Sequence, residues 1–205
     1  MLSEKSLQRF NGGPAKLGQL ADIAMGYSFR SRLEAASDGD LAVIQMRDLT
    51  DDNLLDPAAL TRIELAEAKP RQFVRPGDIV FRSRGQTHTA VLIDQDPGPA
   101  IIAAPLLRIR PREGVLSAYL AWFINLPATQ ARLASRAEGT ALRMIRKQSL
   151  AELEVPLPPL ECQQAIVELA DLATEEQRLM ARLADKRKQY MDGILMQAAS
   201  GARGA

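Results

Sequence analysis

A short basic segment between two predicted strands carries side chains that can read nucleic-acid bases. It runs Arg82-Ser83-Arg84-Gly85-Gln86-Thr87-His88. A guanidinium pairs with the O6 and N7 acceptors of guanine, and a carboxamide pairs with the N6 and N7 edge of adenine. We therefore predict base contacts for four side chains, those of Arg82, Arg84, Gln86 and His88. On composition alone, an exposed polar loop without a ligand fits equally well.

A second basic segment has the composition of a phosphate clamp. Arg143, Arg146 and Lys147 surround an apolar Ile145. Cations of this kind supply most of the sequence-independent affinity of a protein for a nucleic-acid backbone. Together with Arg47, these three cations are the predicted backbone contacts. The alternative is that they cap a turn beside the acidic segment that follows.

Residues for metal or covalent chemistry are scarce in this chain. One His and one Cys are too few for a zinc site of ordinary composition, and the sequence has neither a P-loop nor a G-x-G-x-x-G segment. Asp56 with Glu67-Ala68-Lys69 imitates a nuclease motif, but it lies around a polar stretch, residues 60–68, for which we predict a helix. We therefore predict no catalytic residue, no metal ligand and no cofactor on this chain.

The balance of charge changes along the chain. Although 26 basic and 25 acidic residues give a net charge of +1, residues 75–147 hold 11 basic and 5 acidic groups, a balance of +6. Residues 148–178 hold 1 basic and 7 acidic groups, a balance of −6. Because a basic region attracts nucleic acid, we predict that the first segment faces DNA. A solvated charged face is the simpler interpretation of either segment.

Short strands bounded by turn residues must position the two basic segments. Runs rich in Val, Ile and Leu between Gly, Pro and Asp predict strands at residues 41–46, 78–81, 89–94, 100–104 and 106–110. Amphipathic helices are predicted at 116–125 and 128–137. Since no regular helices separate the strands, we predict an α+β fold, with a compact β-rich domain over residues 1–158, rather than a doubly wound parallel sheet.

The last quarter of the chain has the composition of one long helix. Residues 161–197 contain no Pro and one Gly, and their apolar residues recur with heptad spacing. We predict a coiled-coil helix over 159–198 and a flexible tail over 199–205. At about 55 Å, such a helix is longer than a small domain needs to cover its own core. The predicted contacts with a second copy are Ile166, Leu169, Ala173, Met180, Leu183 and Ile194. The alternative is a helix folded back on its own domain.

Taken in order, these motifs resemble the specificity (S) subunit of type I restriction-modification systems. Residues 16–29 resemble the opening of that family's target recognition domain, and residues 43–49 resemble its first inner strand. Pro76-Gly77-Asp78-Ile79-Val80-Phe81 resembles its Pro-Gly-Asp strand. The exit is the most specific part: Gly139-Thr140, then Ile145, Leu150 and Leu153, then Val155-Pro156-Leu157-Pro158-Pro159-Leu160 with Gln163 and Ile166.

The resemblance implies a non-catalytic subunit that reads one half of a split double-stranded DNA target. It also implies long helices that pair antiparallel, a partner DNA adenine methyltransferase (M) subunit that binds S-adenosylmethionine, and a restriction (R) motor-nuclease subunit that can join them. A full S subunit has two recognition domains and two long helices, whereas this sequence has one of each. We therefore expect a half-length form that acts as a homodimer and reads two identical, inverted half-sites.

Two other function classes stay open on the sequence alone. A chain that cleaves DNA by itself would need a catalytic cluster, which the motifs do not provide, and no Asn-Pro-Pro-Tyr methylase motif is present. A non-catalytic adaptor that uses the long helix for protein contacts, without specific DNA readout, also fits. The single cysteine, Cys162, and the lack of a signal-like or membrane-spanning segment predict a cytoplasmic protein that does not bind membranes.

Overall fold

The computed structural model describes residues 13–29, 39–50, 55–64, 69–85, 87–139 and 143–201. The chain divides into an N-terminal unit, Met1–Gln164, and a C-terminal unit, Ala165–Ala205. In chain order, the elements are β1 (Ala15–Lys16), α1 (Leu17–Leu20), β2 (Ala21–Met25), β3 (Leu41–Ile44), β4 (Thr61–Ile63), β5 (Ile79–Phe81), β6 (Ala90–Leu92), β7 (Ala100–Ile102), β8 (Leu107–Pro111), α2 (Ser117–Asn125), α3 (Pro127–Ser135), α4 (Lys147–Ala151), β9 (Glu154–Val155) and α5 (Leu160–Gly201). This combination confirms the predicted α+β class.

The largest sheet has four antiparallel strands in the order β2-β8-β5-β6. Its central strand, β8, places Ile109 opposite both Ile23 and Ile79, and all three side chains are buried. Strands β5 and β6 form a hairpin in which Val80 faces Val91. The loop of this hairpin is the basic segment predicted to read bases, so the sheet fixes both ends of that loop.

A second sheet has three strands in the order β4-β3-β7, with β3 antiparallel to β4 and parallel to β7. Ile44 and Ile102 of this sheet belong to the same hydrophobic cluster as Val80 and Val91 of the larger sheet. The two sheets therefore share one core. Burial of such aliphatic side chains contributes about 1.5–3 kcal/mol each to folding.

Two segments of the N-terminal unit that are far apart in sequence are held together by a short sheet. Ala15 pairs with Val155, the Leu17 N–H donates to the Leu153 carbonyl at 2.8 Å, and Lys16 forms an ion pair with Glu152 at 2.5 Å. Because these partners are far apart in sequence, the segment that precedes α5 is fixed to the beginning of the described chain.

Most predicted elements are confirmed, although the strands are shorter than predicted. Strands β3, β5, β6, β7 and β8 correspond to the five predicted strands, and α2, α3 and α5 correspond to the predicted helices. The helix predicted over residues 60–68 is wrong where the structure describes it. Thr61–Ile63 forms edge strand β4, because Leu41 to Val43 of β3 pair with it. Glu67 and Ala68 lie outside the described residues.

The domain limits predicted at residues 158 and 198 stay predictions. Of the helices that the structure describes, none has the length and apolar character of a membrane span.

Candidate nucleic-acid interface

The Pro76-Gly77-Asp78 turn anchors the strand that leads into the basic loop. Gly77 has a φ of +89°, a value that favours glycine. The Asp78 carboxylate is fully buried and accepts hydrogen bonds from Arg110 Nε at 2.6 Å, Arg110 Nη2 at 2.7 Å and the Arg75 N–H at 3.0 Å. The bond to Asp78 raises the pKa of the Arg110 guanidinium. This buried pair fixes the start of β5 and was not predicted from the sequence.

Arg82, one of the predicted base contacts, uses its guanidinium on the protein itself. Nη2 donates to the carbonyl oxygens of Met46, at 3.2 Å, and Leu49, and Nη1 donates to Thr87 Oγ1 at 3.3 Å. These bonds connect the basic loop to the turn that carries Arg47. In this arrangement Arg82 positions the loop.

His88 is buried, with 2% of its surface exposed. Its ring stacks on Phe81 with centroids 6.3 Å apart, and Nδ1 lies 3.3 Å from the Arg82 carbonyl. Because that carbonyl can only accept, Nδ1 carries the proton. Burial lowers the pKa of His88, the Arg82 carbonyl opposes this, and the charge of Arg143 lowers it further. The ring is buried in this structure, and the base contact predicted for His88 stays a prediction.

Arg84 lies in the loop between β5 and β6. Arg84 is exposed and is followed by Gly85 with a φ of +127°, while Gln86 lies outside the described residues. Of the four predicted base contacts, Arg84 is therefore the one that the structure describes as exposed at the surface.

The two predicted basic segments lie side by side. The Ile145 N–H donates to the Ser83 carbonyl at 2.8 Å, and the Gly85 N–H donates to the Arg143 carbonyl at 3.1 Å. Arg84 is consequently paired with Met144 in an antiparallel bridge. Ile145 is buried beneath this pairing, and the exposed Arg143 lies opposite Gly85, with its Nη1 3.5 Å from the Ala134 carbonyl. The sequence predicts both segments, but their adjacency is a result of the fold.

The remaining predicted backbone contacts differ in how their charge is used. Arg146 forms an ion pair with Glu138 at 2.6 Å, which reduces the charge it can offer to a phosphate. Lys147 is exposed and has no ion-pair partner among the described residues. Arg47 is exposed, its Nη2 donates to Thr61 Oγ1 at 2.8 Å, and its Nε lies 3.7 Å from Asp48 Oδ1. Lys147 therefore keeps more of its charge for a ligand than Arg146 or Arg47 does.

A cavity of about 380 Å³ extends the basic surface beyond Lys147. Its wall includes Arg71, Asp22 and Arg108. Arg108 is 4% exposed; Nη2 donates to Asp22 at 2.7 Å and Nη1 donates to the Arg71 carbonyl at 2.9 Å. Sequence reasoning missed this cavity. One signal in the sequence could have pointed to it. Arg108 and Arg110 stand at alternate positions of β8, an inner strand of the sheet, where charged residues are uncommon.

Gln163, at the start of α5, is the other functional position whose role the structure explains. It is fully buried; Nε2 donates to the carbonyls of Pro158 at 2.8 Å and Gly114 at 3.0 Å, and Oε1 accepts from the Leu116 N–H at 2.8 Å. One carboxamide thus satisfies three backbone groups and fixes the first turn of the helix on the N-terminal unit.

The predicted dimer residues of α5 are largely uncovered. Leu169, Met180, Leu183 and Ile194 are exposed, Ala173 is exposed, and Ile166 is half-buried. An apolar groove along the helix is lined by Leu172, Leu179, Met180 and Leu183 together with Glu175 and Glu176. The pairing predicted for these side chains remains a prediction.

Among the described residues, no group of three or more His, Cys, Asp or Glu side chains is arranged to hold a metal ion. The chemistry that the described surface offers is that of exposed guanidinium and ammonium groups on a rigid β framework. Such a surface can bind phosphates and hydrogen-bond to base edges.

Comparison with known proteins identifies one family and one fold. The family model described as "Type I restriction modification DNA specificity domain" matches residues 13–182. The HsdS subunit from Thermoanaerobacter tengcongensis is 25% identical with a TM-score of 0.61, over 81% of this chain and 38% of that one. The type I restriction-modification S subunit from M. genitalium is 16% identical with a TM-score of 0.56, over 89% and 43% of the two chains.

A third structure comes from work on complex assembly and conformational transition of the type I R-M system. It is 23% identical with a TM-score of 0.63, over 84% of this chain and 40% of that one. This chain therefore spans about two fifths of the length of the structures it matches. A search of the curated proteins found no match.

Proposed function

The chain belongs to the type I restriction modification DNA specificity domain family, and from this premise we propose that it selects the DNA sequence on which a type I restriction-modification complex acts. The observation that carries the proposal is the pairing of the two basic segments, produced by the main-chain bonds between residues 83–85 and 143–145. A rigid surface that combines a base-reading arginine with phosphate-binding cations is what sequence-specific DNA recognition requires.

In this proposal, the exposed cations have separate roles. Arg84 contacts a base edge, and Gln86, two residues later in the sequence, is a second candidate for base contact. Arg143, Lys147 and Arg47 contact phosphates and set the register of the protein on the duplex. Arg82 and His88 support the loop from below, and Arg146 contributes less because Glu138 neutralises it.

The chemical step belongs to a partner in this account. The chain reads one half of a bipartite target and directs a DNA adenine methyltransferase (M) subunit, which supplies S-adenosylmethionine, with a restriction (R) subunit as a further partner. Two copies of the chain join through α5 and together read two inverted half-sites. The exposed apolar side chains of α5 support this dimer, because in water they gain free energy when another surface covers them.

Selection from a random duplex library tests the proposal. The chain is purified with the type I methyltransferase subunit of its host and used to enrich bound DNA, with the methyltransferase alone as the control. We expect enrichment of one motif that contains two inverted copies of a half-site, and methylation of adenine within it. Enrichment no greater than with the methyltransferase alone would favour the adaptor, and metal-dependent cleavage by the purified chain would favour an enzyme.

A further inference from the structure

Helix α5 has opposite charges in its two halves. Residues 160–181 contain five acidic groups and one basic group, whereas residues 182–201 contain four basic and two acidic groups. Two parallel copies would place acidic halves together and basic halves together. Two antiparallel copies would place each acidic half against a basic one, so the charge pattern of the chain favours antiparallel pairing.

Two charged residues interrupt the apolar heptad positions of the same helix. Glu176 and Arg187 occupy core positions of the repeat, and both are exposed. Neither has an ion-pair partner among the described residues. A charged residue at a core position costs stability unless the facing helix supplies the opposite charge, and for this reason it fixes the register of a coiled coil.

We propose that two copies of the chain pair antiparallel about a twofold axis midway between Ala181 and Arg182, so that Glu176 of each copy faces Arg187 of the other. This proposal rests on the homodimer proposed above and on the antiparallel pairing that the family resemblance implies, and it adds the register of the two helices. In an antiparallel coiled coil, each layer joins the first core position of one heptad to the second core position of the facing helix. Both charges are neutralised only in the register that places Glu176 of one copy in the same layer as Arg187 of the other.

The same register satisfies the apolar positions without further adjustment. Every layer then joins a residue from the N-terminal half of α5 in one copy to a residue from the C-terminal half of α5 in the other copy. The layers are Met180 with Leu183, Glu176 with Arg187, Ala173 with Tyr190, Leu169 with Ile194, and Ile166 with Gln197. The smallest core side chain, Ala173, faces the largest, Tyr190, as volume matching across a packed seam requires. The apolar layers at the centre and the charged layers beside them recur symmetrically.

A parallel, in-register dimer fails on the same residues. Glu176 would face Glu176 and Arg187 would face Arg187, leaving two layers of like charge in the seam. In addition, Ala173 would face Ala173 and Tyr190 would face Tyr190, so two small and two large side chains would meet in separate layers.

Cysteine cross-linking tests direction and register together. In full-length protein carrying Cys162→Ser, the pair Ala173→Cys and Tyr190→Cys is expected to give a disulfide-linked dimer, because the proposed register brings these two positions into one layer. Ala173→Cys alone is the matched control. Its two copies would lie about 25 Å apart along the antiparallel axis, so it is expected to remain uncross-linked. Cross-linking by Ala173→Cys alone, or none by the pair in a protein that is dimeric, would overturn the register.

Charge reversal gives an independent readout. Glu176→Arg or Arg187→Glu alone is expected to weaken dimerisation at least about tenfold, because each places like charges in a core layer. The double variant restores opposite charges and is expected to dimerise within about threefold of the natural chain. A double variant no better than the single ones would contradict the pairing.

Sedimentation velocity of the natural chain, alone and with its methyltransferase, separates this proposal from the one it rests on. A monomer under both conditions at micromolar concentration refutes the homodimer itself. A dimer whose cross-links or charge reversals follow another pattern refutes the register and leaves the homodimer intact.

Discussion

Two leucines show how differently the two units of the chain use apolar residues. Leu120 of α2, in the N-terminal unit, is 0% exposed, whereas Leu183 of α5, in the C-terminal unit, is 69% exposed. The N-terminal unit buries its aliphatic side chains and pairs buried charges such as Asp78. The heptad pattern of the C-terminal unit is equally regular, but its side chains are uncovered. Apolar periodicity alone therefore predicts a helix and does not say what covers it.

This contrast separates two kinds of measurement. Substitutions in the N-terminal unit are expected to change the free energy of unfolding of the chain itself. Substitutions on the apolar face of α5 are expected to change self-association.

Asp78→Ala is expected to have the largest effect. It removes a fully buried carboxylate and leaves the half-buried Arg110 guanidinium without its ion-pair partner, so we expect a loss of about 3 kcal/mol, the lower end of the cost of breaking a buried pair. Urea unfolding followed by circular dichroism measures this loss. The control is Glu138→Ala, which breaks the exposed pair with Arg146 and is expected to cost less than about 1 kcal/mol. Equal losses for the two variants would show that burial of Asp78 is not what matters.

Gln163→Ala is expected to destabilise the chain by about 2–3 kcal/mol, because it removes the partners of two carbonyls and one N–H that are shielded from water. The same denaturation experiment measures it. Gln189→Ala, at an exposed position of the same helix, is the matched control and should change little. If both variants unfold alike, the carboxamide does not fix the start of α5.

His88 predicts the direction of a pH effect. Its pKa is lowered in the folded chain, so the unfolded chain takes up a proton at a higher pH than the folded chain does. The free energy of unfolding should therefore fall as the pH drops below about 6.5, the ordinary pKa of histidine. Because this is the only histidine, His88→Asn should flatten the fall between pH 7 and pH 5.5. An unchanged pH dependence in that variant would assign the effect to other groups.

Leu183→Ala is expected to leave the unfolding of the monomer within about 0.5 kcal/mol of the natural chain, while it weakens self-association. Leu120→Ala, the buried counterpart, should cost about 2–5 kcal/mol. Unfolding at a concentration below dimer dissociation and sedimentation at a higher one measure the two effects. A large loss of monomer stability from Leu183→Ala would remove the contrast between the two units.

Elements that are specified by neighbouring residues could be predicted from the sequence. Strands β5 to β8 are short aliphatic runs between Gly, Pro and Asp, and α5 is a long heptad pattern, so each could be predicted from neighbouring residues. Strand β2 was missed because Ala21–Met25 has little β-branched character and becomes a strand by pairing with β8. Strand β4 was predicted as part of a helix although Thr61 and Ile63 are β-branched, because its pairing with the distant strand β3 decides its conformation.

The candidate site also could be predicted only in part from the sequence. Its basic residues are visible in the sequence, but which of them are exposed depends on distant partners. His88 lies in a polar segment and is buried through contact with Phe81, and Arg82 bonds to a turn more than 30 residues away. The pairing of the two basic segments, with Arg84 opposite Met144, likewise is encoded by no local pattern.

The most direct test of sequence-specific recognition compares Arg84→Ala with Lys147→Ala on a selected target duplex and on a scrambled one, each with the partner methyltransferase present. Both side chains are exposed, so both variants should fold. We expect Arg84→Ala to lose about 1–3 kcal/mol of binding free energy on the target and little on the scrambled duplex, and Lys147→Ala to weaken both alike. Equal losses on the two duplexes for Arg84→Ala would contradict its assignment as the base-reading residue.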